Sequence, residues 1–320
     1  MLTARGSVSA MSSIATVRPH KEATRNAAQA PARRRRVPTS PLEHRVVRPV
    51  FKMLFQGVAL GLRATGLHAR GRRNAVDIRL NRIEMMLPGL PRSFDGYTIL
   101  HMSDLHADGP LELDGAIGRA LDGVEVDLCA LTGDYRYRLQ GTHHDAARPM
   151  AEILRHVRAR DGVVGVLGNH DLGTMVAPLR EIGIDVLVND HRALRRGDDE
   201  IVLIGLDDVH AYQPSHEAAD ALNAMPEGFR ILLLHSPELL DEAAAAGVSL
   251  YLAGHTHGGQ ICLPGGRPVL TNIRSPRRYV RGEWRHGDMQ GYTTSGVGVS
   301  VLPLRYHCPP EVALITLRQG

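Results

Sequence analysis

The sequence predicts an α/β fold in which two mixed sheets pack against each other with helices on the outside. Between residues 76 and 257, short apolar runs of strand character alternate with stretches of helical periodicity. After His257 the chain is rich in glycine and proline, carries short strands and ends in an apolar run at residues 312–317. With 320 residues, of which 43% are hydrophobic, the chain is long enough for one large domain and an N-terminal extension.

The N-terminal region differs from the rest of the chain in its charge. Residues 1–73 hold 15 Lys and Arg but 2 Asp and Glu, a net charge of +13, whereas residues 74–320 hold 23 against 32, a net charge of −9. Residues 1–45 lack apolar periodicity and are rich in Ala, Ser, Pro and Arg, which predicts a disordered basic extension. Such a tail is expected to contact an anionic surface, although its composition is also typical of an organelle transit peptide. Nucleic acid is the less favoured surface because no aromatic residues interleave with the arginines.

Residues 46–73 are predicted to form an amphipathic helix. The apolar residues that recur near helical spacing are Val50, Phe51, Leu54, Val58 and Leu62. Lys52 and the flanking arginines make the stretch too short and too charged for a transmembrane span, but they suit a helix that lies in the interface of an anionic membrane. The alternative is a helix that packs on the surface of the domain itself.

Residues 74–320 are predicted to form the globular domain. Strand alternation begins at residues 76–80, and an apolar run follows at residues 97–102. The predicted helices are residues 146–158, 175–182, 216–225 and 237–246. The runs predicted as strands of one hairpin are residues 185–188, 191–194 and 201–206. The three cysteines do not form a disulfide framework, and Cys129, inside an apolar strand, is expected to be a buried hydrophobic residue.

Five polar clusters, each at the end of an apolar run of strand character, follow one another in the sequence. They are Asp104-Leu105-His106, Gly133-Asp134, Gly168-Asn169-His170-Asp171, His235 and Gly254-His255-Thr256-His257. A strand that stops at a polar residue brings that side chain to one edge of its sheet, so five such strands can bring five loops together. Carboxylate, imidazole and amide ligands suit divalent ions such as Mn, Fe and Zn. The sequence therefore predicts a site for two divalent metal ions at this edge.

This order of motifs resembles that of the calcineurin-like metallophosphoesterases, whose pattern D-x-H, G-D, G-N-H-D, H, G-H-x-H is met at every position. The stretch GHTHGGQICLP and the end GVGVSVLPLRYHCPPEVALITL are similar to a bacterial, often membrane-associated branch that includes UDP-2,3-diacylglucosamine diphosphatases. The resemblance covers residues 77–318 and implies a four-layer α/β/β/α sandwich. Family members often carry a second acid after the Gly-Asp pair, where this chain has Tyr135, Arg136 and Tyr137, but that acid is not normally a ligand.

The resemblance implies two ligand sets. The residues expected to bind the first ion are Asp104, His106, Asp134 and His257. The residues expected to bind the second ion are Asp134, Asn169, His235 and His255. Asp134 is expected to bridge the ions because a bridge needs two oxygens of full negative charge, and a hydroxide between the ions is the expected nucleophile. Alternation in an extended loop is expected to point His255 and His257 to the same side. Mn is the expected metal, with Fe, Zn or Mg as alternatives.

His170 is expected to be catalytic without binding metal. In the family the corresponding position lies beside the phosphate, where an imidazolium stabilises developing charge or protonates the leaving oxygen. Asp171 is then expected to orient the ring of His170. His101 is interpreted as a core residue or a support for the ligands, and Asp108 as a loop carboxylate. The histidines interpreted as loop residues are His143, His144, His210 and His216.

Arginines near the clusters are candidates for holding an anionic substrate, because the guanidinium fork suits phosphate oxygens. They are Arg136, Arg138, Arg267, Arg274, Arg277, Arg278 and Arg281. Residues 271–284, which include Tyr279 and the single tryptophan, are predicted to form a lip for the substrate. The glycines at 258–259 and 265–266 are interpreted as turns.

The function expected from these residues and from the resemblance is hydrolysis of a phosphoester or diphosphate bond. The preferred substrate is a nucleotide-diphospho-lipid such as UDP-2,3-diacylglucosamine in lipid A synthesis, with the protein in the cytoplasm on the inner face of the cell membrane. One alternative is a broad phosphodiesterase or phosphatase that acts on soluble nucleotides or phospholipid head groups. The other is an inactive metal-binding scaffold, which is disfavoured because such scaffolds usually lose ligands and none is lost here.

Overall fold

The computed structural model describes Gly57, residues 61–138 and residues 144–320, apart from the side chains of 144 and 145. The predicted basic extension and half of the predicted amphipathic helix lie outside the described residues, as does His143. Within the described part, two six-stranded mixed sheets pack face to face, and helices cover their outer faces. The four-layer α/β/β/α sandwich is therefore confirmed.

The elements of the sandwich are short and follow one another closely. The strands are β1 Arg79–Leu87, β2 Thr98–Met102, β3 Leu128–Leu131, β4 Val163–Gly165, β5 Ile184–Val186, β6 Asp190–Arg196, β7 Asp199–Gly205, β8 Phe229–Leu233, β9 Val248–Ala253, β10 Cys262–Leu263, β11 Arg267–Pro268, β12 Gly282–His286, β13 Met289–Thr293 and β14 Glu311–Gln319. The helices are α1 Leu67–Asn74, α2 Asp114–Ala120, α3 His144–Leu154, α4 Val176–Glu181, α5 Ser215–Asn223 and α6 Leu240–Ala245. Helix α2 was not predicted from the sequence, because its seven residues include two glycines, which weaken a helical pattern.

The first sheet has the strand order β1-β14-β2-β3-β4-β5. Strands β2 to β5 are parallel, and residues of α2, α3 and α4 pack on their outer face. The last strand, β14, lies between β1 and β2, parallel to the former and antiparallel to the latter. The end of the chain thus occupies the interior of the sheet.

The second sheet has the strand order β12-β13-β9-β8-β7-β6, with β13, β9, β8 and β7 parallel. The prediction of one hairpin over residues 185–206 is wrong for its first run, because β5 pairs with β4 in the first sheet. Only β6 and β7 form an antiparallel hairpin. Asn189, in the left-handed conformation with φ 52°, lies where the chain passes from one sheet to the other.

Three apolar cores separate the four layers. In β3, Leu128 and Ala130 face the core between the sheets, whereas Cys129 and Leu131 face the helices. Strands that are buried on both faces read as continuous apolar runs, which explains why these strands were visible in the sequence. Cys129 is fully buried and forms no disulfide, as predicted.

Helix α1 packs on the domain. A side chain at Gly71 would collide with the ring of Tyr306, and the carbonyl of Gly71 accepts a hydrogen bond from the N–H of Arg305 at 3.0 Å. Asn74 donates to the carbonyl of Arg305 at 3.0 Å. The C-terminal part of the predicted amphipathic segment therefore follows the alternative of a packed helix, while membrane contact by its earlier residues stays a prediction. In the described part of the chain, no helix has the length and apolar character needed to cross a membrane.

Candidate metal centre

Five loops meet at the carboxyl ends of parallel strands, the edge at which open α/β sheets commonly bind ligands. The residues that follow β2, β3 and β4 are Asp104, Asp134 and Asn169, and those that follow β8 and β9 are His235, His255 and His257. Since the strands come from both sheets, the loops close the same end of the sandwich.

Five of the predicted ligands have a backbone conformation that residues other than glycine rarely adopt. Their φ angles are 52° for Asp104, 44° for His106, 55° for Asp134, 69° for His255 and 49° for His257. Such residues cost on the order of 1–3 kcal/mol each and cluster at functional sites, where the surrounding structure enforces them. The loop of His255 and His257 is not extended as predicted, because Thr256 between them is helical, with φ −79° and ψ −17°.

Two glycines of the motifs let neighbouring loops come into contact. A side chain at Gly254 would collide with Ser103 and with the carboxylate of Asp104. A side chain at Gly168 would collide with the carboxylate of Asp134. The glycines therefore allow the loops after β9 and β4 to pack directly on the two aspartates.

Asp104 has one oxygen fixed by the backbone and one oxygen without a hydrogen-bond donor. Its Oδ2 accepts the N–H of His255 at 2.9 Å. Its Oδ1 is buried and accepts no hydrogen bond from the described residues, and Nε2 of His257 lies 3.4 Å away. A buried carboxylate oxygen without a donor is costly unless a cation compensates its charge.

In Asp134 the backbone holds one oxygen and the other faces imidazoles. Its Oδ1 accepts the N–H of His170 at 2.8 Å. Its Oδ2 lies 3.4 Å from Nε2 of His235 and 3.8 Å from Nε2 of His106. The second oxygen is therefore located between the two predicted ligand sets.

Three of the imidazoles are oriented by backbone carbonyls, each of which accepts a hydrogen bond from one ring nitrogen. The acceptors are the carbonyls of Arg136 for Nδ1 of His106 at 2.6 Å, of Thr132 for Nδ1 of His235 at 2.7 Å and of Asn272 for Nε2 of His255 at 2.7 Å. A carbonyl can only accept, so the proton of each neutral ring lies on this nitrogen. The other nitrogen of each ring then presents a lone pair to the cluster, as metal-binding histidines do.

These lone pairs face one another at short distances. Nε2 of His235 and Nδ1 of His255 are 3.2 Å apart and lie 3.0 and 2.8 Å from Oδ1 of Asn169. Nε2 of His106 lies 3.2 Å from Nε2 of His257. With these rings neutral, the cluster is a set of acceptors that a cation stabilises; without a cation, a proton on His235 supplies this positive charge. The donor set therefore fits the divalent metal ions that the sequence predicts.

The charges of the site also favour a cation. Burial opposes protonation of His235, but the carboxylates of Asp134 and Asp104 outweigh burial and raise the pKa of His235 to about 10. Burial, together with His170, lowers the pKa of His106 to about 3, so this ring is neutral, the form that binds metal. The carboxylates thus attract positive charge to the cluster.

Three groups of Asp and His side chains in the described part of the chain have ligand atoms within 4.8 Å of one another. The groups are Asp104-His106-His257, His106-Asp134-His170 and Asp104-Asp134-His235. Asp134 belongs to two of them. With Asn169 and His255 in contact with His235, all seven predicted ligands lie in one cluster.

A comparison with known families agrees with this geometry. Residues 98–270 match the calcineurin-like phosphoesterase superfamily domain. The chain belongs to this superfamily. Its members use divalent metals, and the protein is a metal-dependent phosphoester hydrolase. The resemblance stated from the motifs is confirmed at the level of the family.

The chain matches several curated relatives over most of their length. The uncharacterized metallophosphoesterase YkuE of Bacillus subtilis is 32% identical, over 72% of this chain and 82% of its own. The phosphodiesterase YaeI of Escherichia coli is also 32% identical, over 69% of this chain and 82% of its own. The uncharacterized metallophosphoesterase YkoQ of Bacillus subtilis is 26% identical, over 76% of this chain and 92% of its own.

The ring of His170 is held by a different group from the one expected. Its Nδ1 lies 3.1 Å from the carbonyl of Tyr137, which accepts the hydrogen bond. The buried carboxylate of Asp171 instead accepts backbone N–H groups, from Asp134 and Gly168 at 2.8 Å and from Tyr135 at 3.0 Å. The prediction that Asp171 orients the ring of His170 is therefore wrong. Asp171 instead stabilises the loop that carries Asp134 through hydrogen bonds to its backbone.

Two residues near the first motif hold other parts of the site: His101, as interpreted, and Asp108, which was interpreted only as a loop carboxylate. Oδ1 of Asp108 accepts the N–H of Tyr137, whose carbonyl orients the ring of His170. Nε2 of His101 forms a hydrogen bond of 2.9 Å with Oγ1 of Thr132, whose carbonyl orients a metal-ligand candidate. Both residues therefore position other residues of the site.

A polar cluster that was not predicted lies beside the second ligand set. The ring of His210, interpreted as a loop residue, lies 4.2 Å from the ring of His255. Its Nδ1 is 3.2 Å from Oε1 of the buried Glu238, which also accepts the N–H of Arg274 at 2.8 Å. No sequence signal marks this cluster, because its members are far apart in the chain. The exposed His216 lies in the first turn of α5.

Arg305, also missed, is fully buried behind the first ligand set. Its guanidinium donates to backbone carbonyls of the loop 295–298 and to the backbone carbonyl of His257, a predicted metal ligand. The shortest bonds to each acceptor are 2.6 Å to Gly298, 2.8 Å to Ser295, 3.0 Å to Gly296 and 3.3 Å to His257. Arg305 therefore joins the loop 295–298 to the loop of His257.

The predicted arginines and the predicted lip are only partly at the surface. Arg136 is buried, which is contrary to a direct contact with substrate. The exposed candidates are Arg138, Arg267, Arg274, Arg277, Arg278 and Arg281. Tyr279 and Trp284 are buried in the outer core of the second sheet, with ring centroids 5.2 Å apart, so the aromatic part of the lip prediction is wrong.

Proposed function

We propose that this phosphoesterase hydrolyses its substrate with two divalent ions held by the seven clustered ligands. The observation that carries the proposal is the position of Oδ2 of Asp134, 3.4 Å from Nε2 of His235 and 3.8 Å from Nε2 of His106. One oxygen of Asp134, not the two assumed from the sequence, lies between the two groups of ligands, and a single carboxylate oxygen can be shared by two ions.

The residues divide into two sets around Asp134. The first ion would be held by Asp104, His106, Asp134 and His257. The second ion would be held by Asp134, Asn169, His235 and His255. Oxygen and imidazole ligands without a thiolate suit Mn, Fe, Zn or Mg, of which Mn is our expectation.

The bound ions would supply Lewis acidity toward the phosphoryl group and an activated water. His170 adds a proton donor that is independent of the ions. Its Nδ1 is fixed by the carbonyl of Tyr137, and its Nε2 lies 4.0 Å from Oδ2 of Asp134. The side chain of His170 is 16% exposed, against 1% for that of His106, so substrate can reach it. We assign His170 the protonation of the leaving oxygen.

Our preferred substrate is a nucleotide-diphospho-lipid such as UDP-2,3-diacylglucosamine, met on the inner face of the cell membrane. Three features support this choice: the similarity of the two sequence stretches noted above, the exposed arginines and the basic N-terminal region. Arginine suits diphosphate oxygens, and basic residues beside a bilayer each contribute about 1 kcal/mol on an anionic surface.

A broader phosphodiesterase is the second candidate. It is favoured by the likeness to YaeI of Escherichia coli, which is named a phosphodiesterase and is 32% identical. Under this alternative the same metal site would act on soluble diesters or on phospholipid head groups.

The deciding experiment compares substrates and metals. The purified protein is stripped with a chelator, reloaded with Mn, Zn or Mg, and assayed on a chromogenic diester, a monoester and UDP-2,3-diacylglucosamine, while bound metal is counted. We expect two ions per chain, no turnover after stripping and the highest kcat/KM on the lipid. Turnover by metal-free protein contradicts the proposed site, and a preference for the soluble diester favours the second candidate.

A further inference from the structure

Four exposed apolar side chains lie in two segments that follow the GHTH motif, residues 263–270 and the loop of Val301. Leu263, Val269, Leu270 and Val301 are exposed by 55, 49, 56 and 60%. They are four of the six large hydrophobic residues exposed in the described part of the chain. We call these four residues the apolar rim. Clustered exposed apolar residues mark interaction surfaces more often than scattered ones do.

The apolar rim borders the metal centre. The chain leaves the centre at His257, forms the hairpin of β10 and β11, and returns at Asn272, whose carbonyl lies 2.7 Å from Nε2 of His255. Leu263, Val269 and Leu270 belong to this excursion. Leu263 pairs directly with Arg267 across the hairpin, so an apolar and a basic side chain share one face.

The loop of Val301 is attached to the same hairpin. Nε2 of Gln260 donates to the carbonyls of Ser300 and Leu302 at 2.9 and 2.8 Å. Val301 itself has φ 59°, a conformation that is rare for a β-branched residue. The structure therefore holds an exposed valine in an unfavourable conformation beside the hairpin, which is typical of a functional position.

The charge around the apolar rim is basic although the domain is acidic. Residues 263–278 contain four arginines and no Asp or Glu, whereas residues 74–320 have a net charge of −9. The four are Arg267, Arg274, Arg277 and Arg278, and all are exposed. Apolar side chains among exposed arginines complement the acyl chains and the phosphates of an anionic bilayer.

The N-terminal region joins the domain at this place. The N–H of Cys262 donates to the carbonyl of Tyr306 at 2.9 Å, and the hydroxyl of Tyr306 donates to the carbonyl of Leu67. The helix α1, which begins at Leu67, is therefore adjacent to the hairpin. Leu67 therefore lies on the side of the apolar rim, and most of the basic charge of residues 1–73 precedes it in the sequence.

We propose that the apolar rim inserts into an anionic lipid surface, with the adjacent arginines on the headgroup phosphates and the metal centre facing the membrane. The proposal rests on the proposed function for the claim that the phosphoester attacked belongs to a lipid. Docking itself is a separate property, because none of the four residues is a ligand or a catalytic candidate.

The test uses the full chain and vesicles of phosphatidylcholine and phosphatidylglycerol in equal parts. Leu263→Asp and Leu270→Asp are each expected to lower partition into the vesicles roughly tenfold, the factor that transfer of one leucine side chain from water supplies. Met86→Asp is the matched control. Met86 is 52% exposed but pairs with Arg318, at the end of the first sheet opposite to the metal centre, so its replacement should leave partition unchanged.

Leu270→Trp adds a direct readout of insertion. Its fluorescence should shift to the blue with vesicles and be quenched by brominated acyl chains, whereas Met86→Trp should give neither change. Vesicle binding that is unaffected by the aspartate variants, or a tryptophan that the brominated lipid does not quench, overturns the proposal. Emission that is already blue-shifted without vesicles and does not respond to them also overturns the proposal. It would indicate that residues 46–60 or a second copy of the chain cover the apolar rim.

Turnover of a soluble chromogenic diester separates the two proposals. With metal, the five variants should retain wild-type turnover because the predicted ligands are intact, which also shows that they are folded. A wild-type protein without turnover in any metal contradicts the proposed function, whereas the vesicle measurements still decide the docking proposal.

Discussion

The two oxygens of Asp134 have different surroundings, since Oδ1 accepts the N–H of His170 and Oδ2 lies between His235 and His106. In Asp134→Asn the charge that both ions would share is removed, so both occupancies should fall together. In His257→Ala only the first set loses a ligand, so the first ion should be lost preferentially. Metal counting at increasing chelator concentration distinguishes the two variants.

Asp127→Asn is a suitable control for the loss of a buried carboxylate. Asp127 is also buried, but it lies at the other end of the first sheet, where it accepts from Arg196 at 2.6 Å and from the N–H of Thr98 at 2.7 Å. This variant should be destabilised and yet bind both ions. Two tightly bound ions in Asp134→Asn would contradict the shared ligand.

His170 should separate chemistry from metal binding. Its side chain is held by Tyr137 and is more exposed than those of His106 and His235. We expect His170→Ala to keep both ions and to lower kcat by about 10²–10⁴, the range for loss of a positioned acid. The loss should be smaller for a diester whose leaving group needs no proton. Equal losses for good and poor leaving groups would assign His170 an electrostatic role instead.

At the scale of elements, Arg305 holds together segments that secondary structure does not connect. Its bonds join the loop 295–298 to the loop of His257, and its own N–H donates to the carbonyl of Gly71 in α1. Arg305→Met leaves several buried carbonyls without a donor, and each unsatisfied carbonyl costs about 1–3 kcal/mol. We expect a loss of at least about 3 kcal/mol in the free energy of unfolding and a weaker first metal site.

Arg230 provides a matched control for this prediction. It is buried as well, and it donates to the carbonyls of Pro226 and Met225 at 2.8 Å and to that of Ala246, at the start of β8 and away from the metal centre. Arg230→Met should destabilise the protein to a similar extent without a change in metal affinity. Calorimetric titration of Mn into both folded variants measures the difference, and equal affinities would remove Arg305 from the support of the site.

At the scale of the whole molecule, the basic extension and the phosphoesterase domain should be separable at residue 60. Residues 1–60 carry 11 Lys and Arg against 2 Asp and Glu, whereas α1 packs on the domain. Removal of residues 1–60 should weaken binding to anionic vesicles and reduce its salt dependence, because exposed charges are screened over about 8–10 Å at physiological ionic strength. Turnover of a soluble diester should stay nearly unchanged.

A deletion that extends through residue 74 is the control for α1. It removes Gly71 and Asn74, which contact the segment of Arg305, so it should lower the unfolding temperature where the shorter deletion does not. Co-sedimentation with vesicles, measured at low and high salt, tests the shorter deletion. If that protein still binds vesicles as the full chain does, the extension has no part in membrane contact.

The sequence by itself determined the family, the order of the strands along the chain and the residue types at the metal centre. These features are local: strands buried on both faces read as apolar runs, and each run ends at a predicted ligand such as Asp104 or His235. The match at residues 98–270 spans all of these motifs. The geometry then adds the distances that make a shared ligand of Asp134 a specific proposal.

Only the tertiary structure decided how distant segments meet. It separated β5 from the hairpin of β6 and β7 and inserted β14 between β1 and β2. It also showed that Asp171 accepts a hydrogen bond from the backbone of Asp134, whereas the ring of His170 bonds to Tyr137. It also brought Arg305 to the first ligand set and Glu238 with His210 to the second. Such contacts depend on packing between residues far apart in the chain, and local patterns of polarity carry no information about them.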